Sequence, residues 1–201
     1  MASHNFLPNN DPIVQFKEWF ELAKSTSSIE IPEVCCLSTL GVDGYPEGRM
    51  VLLKMVKDEG FTFFTNAHSR KGQSLKEHPK ASLIFYWQPL GYQVRVRGDV
   101  YMVSSEESDA YFSTRSRDSQ LGAWASDQSN IMENRKDLSK KIDEFKIKYK
   151  NDKNVPRPEH WSGWCLIPSV IEFWLGDEFR IHERLRYNKI SNTWKKEILY
   201  P

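Results

Sequence analysis

Cysteine is scarce in these 201 residues: Cys35 and Cys36 are neighbours in an apolar run, and Cys165 stands alone. Adjacent strand residues point to opposite faces, so the pair is not expected to bridge, and no Cys/His spacing suggests zinc. Reduced, packed thiols and no metal site are the expectation. Charge of one sign is also missing. Twenty-eight Lys and Arg oppose 27 Asp and Glu, a formal net charge of +1, which argues against a nucleic-acid or membrane binder with its basic excess. No apolar run approaches the ~20 residues of a membrane span. Met1 to Asn10 lacks the basic-then-apolar pattern of a secretory leader, so a cytoplasmic protein is expected. No βαβ unit carries a Gly-rich turn, which argues against a dinucleotide fold. Aromatics are plentiful, with 7 Trp, 8 Tyr and 11 Phe, and read first as a core of large side chains.

Periodicity gives one domain over 11–201 after a tail, 1–10, expected to lack fixed structure. Asp11-Pro12 starts a helix, with Ile13, Phe16, Phe20 and Ala23 on its apolar stripe. Strands are expected at Val34 to Leu40, Gly48 to Val56, Phe61 to Thr65, Ala81 to Trp87 and Tyr92 to Val103. Turn residues between them make hairpins. Ser69 caps a short helix, and Ser104 with Glu107 caps another reaching Phe112. Thr114 to Asn130 reads as a polar loop. An amphipathic helix bearing Leu138, Ile142, Phe145 and Tyr149 follows. Three last strands run Trp164 to Trp174, Arg180 to Asn188 and Thr193 to Leu199. Six to eight hairpin-linked strands with inserted helices indicate an antiparallel β-barrel or α+β fold.

Four clusters could carry chemistry. In the strand Arg49-Met50-Val51-Leu52-Leu53-Lys54, period two separates Arg49, Val51 and Leu53 from Met50, Leu52 and Lys54. Its two cations either project into water or meet separate anions. Arg70 and Lys71 follow the cap Ser69, where free N–H groups and the helix dipole suit a phosphate; a charged helix surface is the plainer reading. Tyr111, Arg115 and Ser119 lie in a stretch rich in guanidinium and hydroxyl donors, a set that can surround a phosphate. Read as a strand, Arg180, His182 and Arg184 share one face, and three cations there repel unless an anion lies among them. His182 could then be an acid/base or hydrogen-bonding group. These residues indicate two bound anions and name no cofactor.

The same segments, together with Gln93-Val94-Arg95-Val96, Gln128-Ser129 and Glu172-Phe173-Trp174, resemble the pyridoxine/pyridoxamine 5′-phosphate oxidase family in order from about Asp11 to Pro201. The resemblance implies an FMN-binding split β-barrel, mainly β with peripheral helices, and a homodimer with FMN at the subunit interface. It implies an enzyme that makes pyridoxal 5′-phosphate with O2 as acceptor and H2O2 as by-product. FMN would be held by Arg49, Met50, Val51, Leu52, Leu53, Lys54, Phe64, Thr65, Arg70, Lys71, Gln93, Gln128, Ser129, Trp174 and Arg184. Lys54, Tyr111, Arg115 and Ser119 would hold the substrate phosphate, with Arg180 and His182 over its ring as catalytic residues. Phe64 replaces a frequent tyrosine, and Met1 to Asn10 lacks the Arg and Tyr that close over substrate in longer relatives. Rival readings are a related oxidase acting on a phenazine precursor, a flavin carrier without turnover, and an RNA-binding sheet built on Arg95-Val96-Arg97.

Overall fold

The computed structural model describes residues 8–201; Met1 to Leu7, most of the expected tail, lie outside them. Helix α1, Pro12–Ser25, begins where Asp11 accepts the backbone N–H of Ile13 at 2.8 Å. Its stripe drives Phe16, fully buried, against Phe61, Phe85 and Trp87, with ring centroids 4.8, 5.0 and 5.9 Å away. Helix and sheet thereby share one core. Asn9 is tied down too, its carbonyl accepting the Tyr187 hydroxyl at 2.6 Å.

The strands are β1 Val34–Leu40, β2 Pro46–Leu52, β3 Met55–Val56, β4 Phe61–Asn66, β5 Lys80–Trp87, β6 Tyr92–Met102, β7 Trp161–Leu175, β8 Glu183–Ile190 and β9 Thr193–Leu199. All pair antiparallel in one curled sheet of order β2-β1-β5-β6-β7-β4-β3, with β8 joining β7 and β9. One edge of β7 is shared: its first residues pair with β4 and its last with β8. Pro168, which has no N–H to donate, sits between the two halves. Opposite it, the β6–β7 register shifts between Arg97 and Gly98, a bulge where the long strand can bend.

The expected strand Gly48 to Val56 is broken. Leu53 donates its N–H to Glu33 and Lys54 donates to Thr62, at 2.9 and 2.8 Å. The chain thus leaves the β1 side and joins β4 between adjacent residues, leaving Lys54 at the corner. The expected loop Thr114 to Asn130 contains a helix. After α2, Arg70–Glu77, and α3, Ser105–Ser113, comes α4, Arg117–Ala125, capped by Ser116. It packs through Leu121 and Trp124 on α5, Arg135–Lys148, and on Tyr149. The expected strand from Arg180 starts only at Glu183, because Arg180 has φ +61°, outside strand geometry. Arg180 and His182 therefore lie in the β7–β8 loop, and the shared strand face read for them with Arg184 is not formed.

Among the described residues no helix is long and apolar enough to cross a membrane, and no group of three or more His, Cys, Asp or Glu is placed to hold a metal ion. The three cysteines are free.

Candidate active site

An open cleft of about 510 Å³ lies between β2, the end of β4, α3 and α4. Period two along β2 turns Met50 and Leu52 outward, and both line the cleft with Lys54 at the corner. Met50 is 62% exposed, an apolar side chain at a strand centre that the core does not use. Phe64 stacks on Tyr111 at 4.1 Å and on Trp161 at 5.1 Å, so three near-parallel rings form a wall. Among the described residues, Lys54, Lys71 and Arg115 line the cleft and no carboxylate does.

Arg115 lies over the rings of Phe112 and Trp161, at 5.5 and 4.8 Å. Its Nη1 is buried without a hydrogen-bond partner, and burial pushes its pKa down. Burying a cation without a counter-charge is costly, so this guanidinium suits an anion arriving from the cleft. Ser119 stands beside it in the first turn of α4, where the N-terminal dipole end adds positive potential. Lys71 Nζ donates to the Gln128 amide oxygen at 2.9 Å, and Thr65 Oγ1 donates to the same oxygen at 3.2 Å. Burial lowers the Lys71 pKa first, and the nearby Arg49 charge lowers it further.

Of the residues read for the site, Met50, Val51, Leu52, Lys54, Phe64, Thr65, Lys71, Tyr111, Arg115, Ser119 and Gln128 meet in this one cleft. Others do not. Leu53 is buried in the core. Arg49 does not line it, donating instead to Thr39 Oγ1 at 2.6 Å and Glu47 at 2.7 Å. Arg70 is held by Asp43 at 2.7 Å and by Glu47, and lines a separate recess with Ser129. The Glu47 hydrogen bond is the main cause of its raised pKa. Ser129 has φ +75°.

Gln93, Trp174 and Arg184 align in register across β6, β7 and β8. Arg184 Nη2 donates to the buried carboxylate of Glu172 at 2.8 Å and Nη1 to the Tyr200 carbonyl at 3.0 Å. His182 packs against Trp174 with centroids 4.5 Å apart. This second cluster lies at the opposite end of the 15-residue β7 from Trp161, which lines the cleft, roughly 45 Å away along extended chain. Trp161, Asn66 and Ser126 also line the cleft and were not read from the sequence. Asn66 directly follows Thr65, a usable signal; Trp161 reaches the wall only through the β4–β7 pairing.

A curled antiparallel sheet that splits along β7, with a cation-lined cleft at its β2–β4 corner, places the chain in the split-barrel class. Its solved neighbours are of that kind. PhzG from Burkholderia lata 383, solved with tetrahydrophenazine-1-carboxylic acid, is 30% identical with TM-score 0.91, over 100% of this chain and 98% of that one. A pyridoxamine 5′-phosphate oxidase-related, FMN binding protein from Nostoc punctiforme shares the fold, with TM-score 0.73 at 14% identity over the whole of both chains. Residues 23–149 match the family model described as pyridoxamine 5′-phosphate oxidase, and 161–201 that of the pyridoxine 5′-phosphate oxidase C-terminal dimerisation region. The pyridoxine/pyridoxamine 5′-phosphate oxidases of Pelagibacter ubique and Nostoc punctiforme are 49% and 48% identical to it, over 98% and 95% of this chain and 94% and 89% of theirs. The chain belongs to the pyridoxine/pyridoxamine 5′-phosphate oxidase family of oxidoreductases.

Proposed function

We propose that the chain is an FMN-dependent oxidase converting pyridoxine 5′-phosphate and pyridoxamine 5′-phosphate at C4′ to pyridoxal 5′-phosphate, with O2 as electron acceptor and H2O2 released. The observation that carries this reading is the cleft itself, which among the described residues has three cations, no carboxylate and a guanidinium whose buried Nη1 lacks a hydrogen-bond partner. Its size suits a small-molecule site, and its apolar strand face and ring wall suit flat heteroaromatic ligands.

Lys54, Tyr111, Arg115 and Ser119 hold the substrate phosphate. Lys71, Thr65 and Gln128 serve the FMN side, where the Gln128 oxygen now takes the donors a phosphate oxygen would take. When bound, FMN supplies the two-electron acceptor that the side chains lack. The protein's part is positioning: a remote phosphate clamp fixes C4′, so binding energy lowers the barrier. Gln93, Trp174, Arg180, His182 and Arg184 complete the site from a second copy, because one chain holds them at the far end of β7. The unit is therefore a homodimer with FMN at its interface. Arg49, Leu53, Arg70 and Ser129 act around this cleft, Arg49 and Arg70 on condition that they exchange their Glu47 contacts for ligand.

The purified protein should show flavin absorbance and release peroxide with pyridoxine 5′-phosphate. A colourless protein that takes up no added riboflavin phosphate overturns the reading. The PhzG likeness favours a second one, oxidation of a phenazine precursor. Turnover of that substrate with none of pyridoxine 5′-phosphate would establish it instead.

A further inference from the structure

His182 is held from two sides. Its ring packs on Trp174, and its Nδ1 accepts the backbone N–H of Asp177 at 3.1 Å across the β7–β8 loop. A backbone amide can only donate. The Nδ1 facing it must therefore carry a lone pair, and in the neutral ring the proton sits on Nε2. Adding a proton at Nδ1 would set two N–H donors against each other. Arg180, two residues earlier, takes φ +61° inside the same loop, and its N–H turns back to Glu178. The loop is thus closed by its own backbone around the imidazole.

We propose that His182 enters the reaction as a hydrogen-bond donor through Nε2–H, with the Asp177 amide as its positioning group, and does not act as the base. This deepens the oxidase reading and rests on it for the identity of the substrate. A ring with Nε2 already protonated and Nδ1 occupied has no free lone pair for a substrate proton. It serves an acceptor, namely the C4′ hydroxyl oxygen, the ring 3-oxygen or an unprotonated C4′ amine, and it disfavours an ammonium. FMN, when bound, would supply the acceptor for the two electrons and the C4′ hydrogen of the alcohol; the hydroxyl proton would leave to water rather than to His182.

Two measurements on the FMN-loaded dimer test this. Imidazole ¹⁵N–¹H correlation spectra, with His182 assigned by the signals missing in His182→Gln, report the tautomer without reference to turnover. A pyrrole-type Nε2 and a pyridine-type Nδ1 are expected; the reverse pattern, or a doubly protonated ring, overturns the proposal. Kinetics then compare His182→Gln, which keeps an N–H near the Nε2 position, with His182→Glu, which offers an acceptor and a base. Retention of kcat within about tenfold in the glutamine variant, against a loss of about 10²-fold or more in the glutamate variant, is expected. Equal loss in both, or the reverse order, overturns the donor role. If the wild-type protein fails to oxidise pyridoxine 5′-phosphate, the oxidase reading falls separately while the spectra still decide the tautomer.

Discussion

Arg115 is where the site's electrostatics concentrate, and its contacts are aromatic rather than acidic. Charge-assisted hydrogen bonds contribute ~1.5–3 kcal/mol each, so Arg115→Ala should raise the KM for pyridoxine 5′-phosphate by about 10²-fold and change kcat less. Steady-state peroxide release measures both, and an unchanged KM contradicts the phosphate role. Lys71 supplies a pH signature. Its folded pKa lies below the ordinary 10.5 because burial disfavours the charged amine. The resulting destabilisation is complete below that lowered value and fades as pH rises from it towards the ordinary 10.5. An anion beside it restores the charged form, so FMN binding should take up a proton on the alkaline side of neutrality and weaken as pH rises. Calorimetry in buffers of different ionisation heat checks this; proton release would contradict it. Arg70 and Lys71 beside the cap Ser69 were legible in the sequence as a cation pair at a helix start. The carboxylate partners of Arg70 were not, since Asp43 and Glu47 reach it only through the fold.

At the level of elements, the sheet follows from alternation, and most strands lie where their apolar residues and turn signals put them. Departures occur where long-range geometry decides. The β2 strand ends because Leu53 and Lys54 change partners, which no local pattern encodes. Helix α4 hides in a polar sequence because its buried face is narrow; the cap Ser116, donating to the Ser119 hydroxyl at 2.8 Å, was its signal. Arg180 reads as strand by alternation, and its positive φ is visible only in three dimensions. The bulge gives an element-scale prediction. A Cβ at Gly98 would stand 1.8 Å from the Ile167 carbonyl oxygen, so Gly98→Ala should cost at least the ~1–3 kcal/mol of an overpacked interior. Phe16→Ala, which unseats α1 from the sheet, should cost about 3–5 kcal/mol. Urea denaturation measures both; a change below 1 kcal/mol at either position would contradict the packing described.

For the whole molecule, the long strand β7 sets the logic. It carries Trp161 at the cleft and Trp174 in the second cluster, near opposite ends of one strand. On the proposed reading, a C2 dimer would close each site with one cleft and one β7–β8 end. The dimerisation-region match over residues 161–201 covers all of the second cluster except Gln93. A heterodimer of Arg115→Ala and Arg180→Ala chains, purified through two different tags, therefore carries one site with both substitutions and one intact site. Its kcat/KM for pyridoxine 5′-phosphate should reach about half that of the unaltered dimer, while each parent homodimer stays far below. Activity no greater than the mean of the parents would contradict a site shared between two chains.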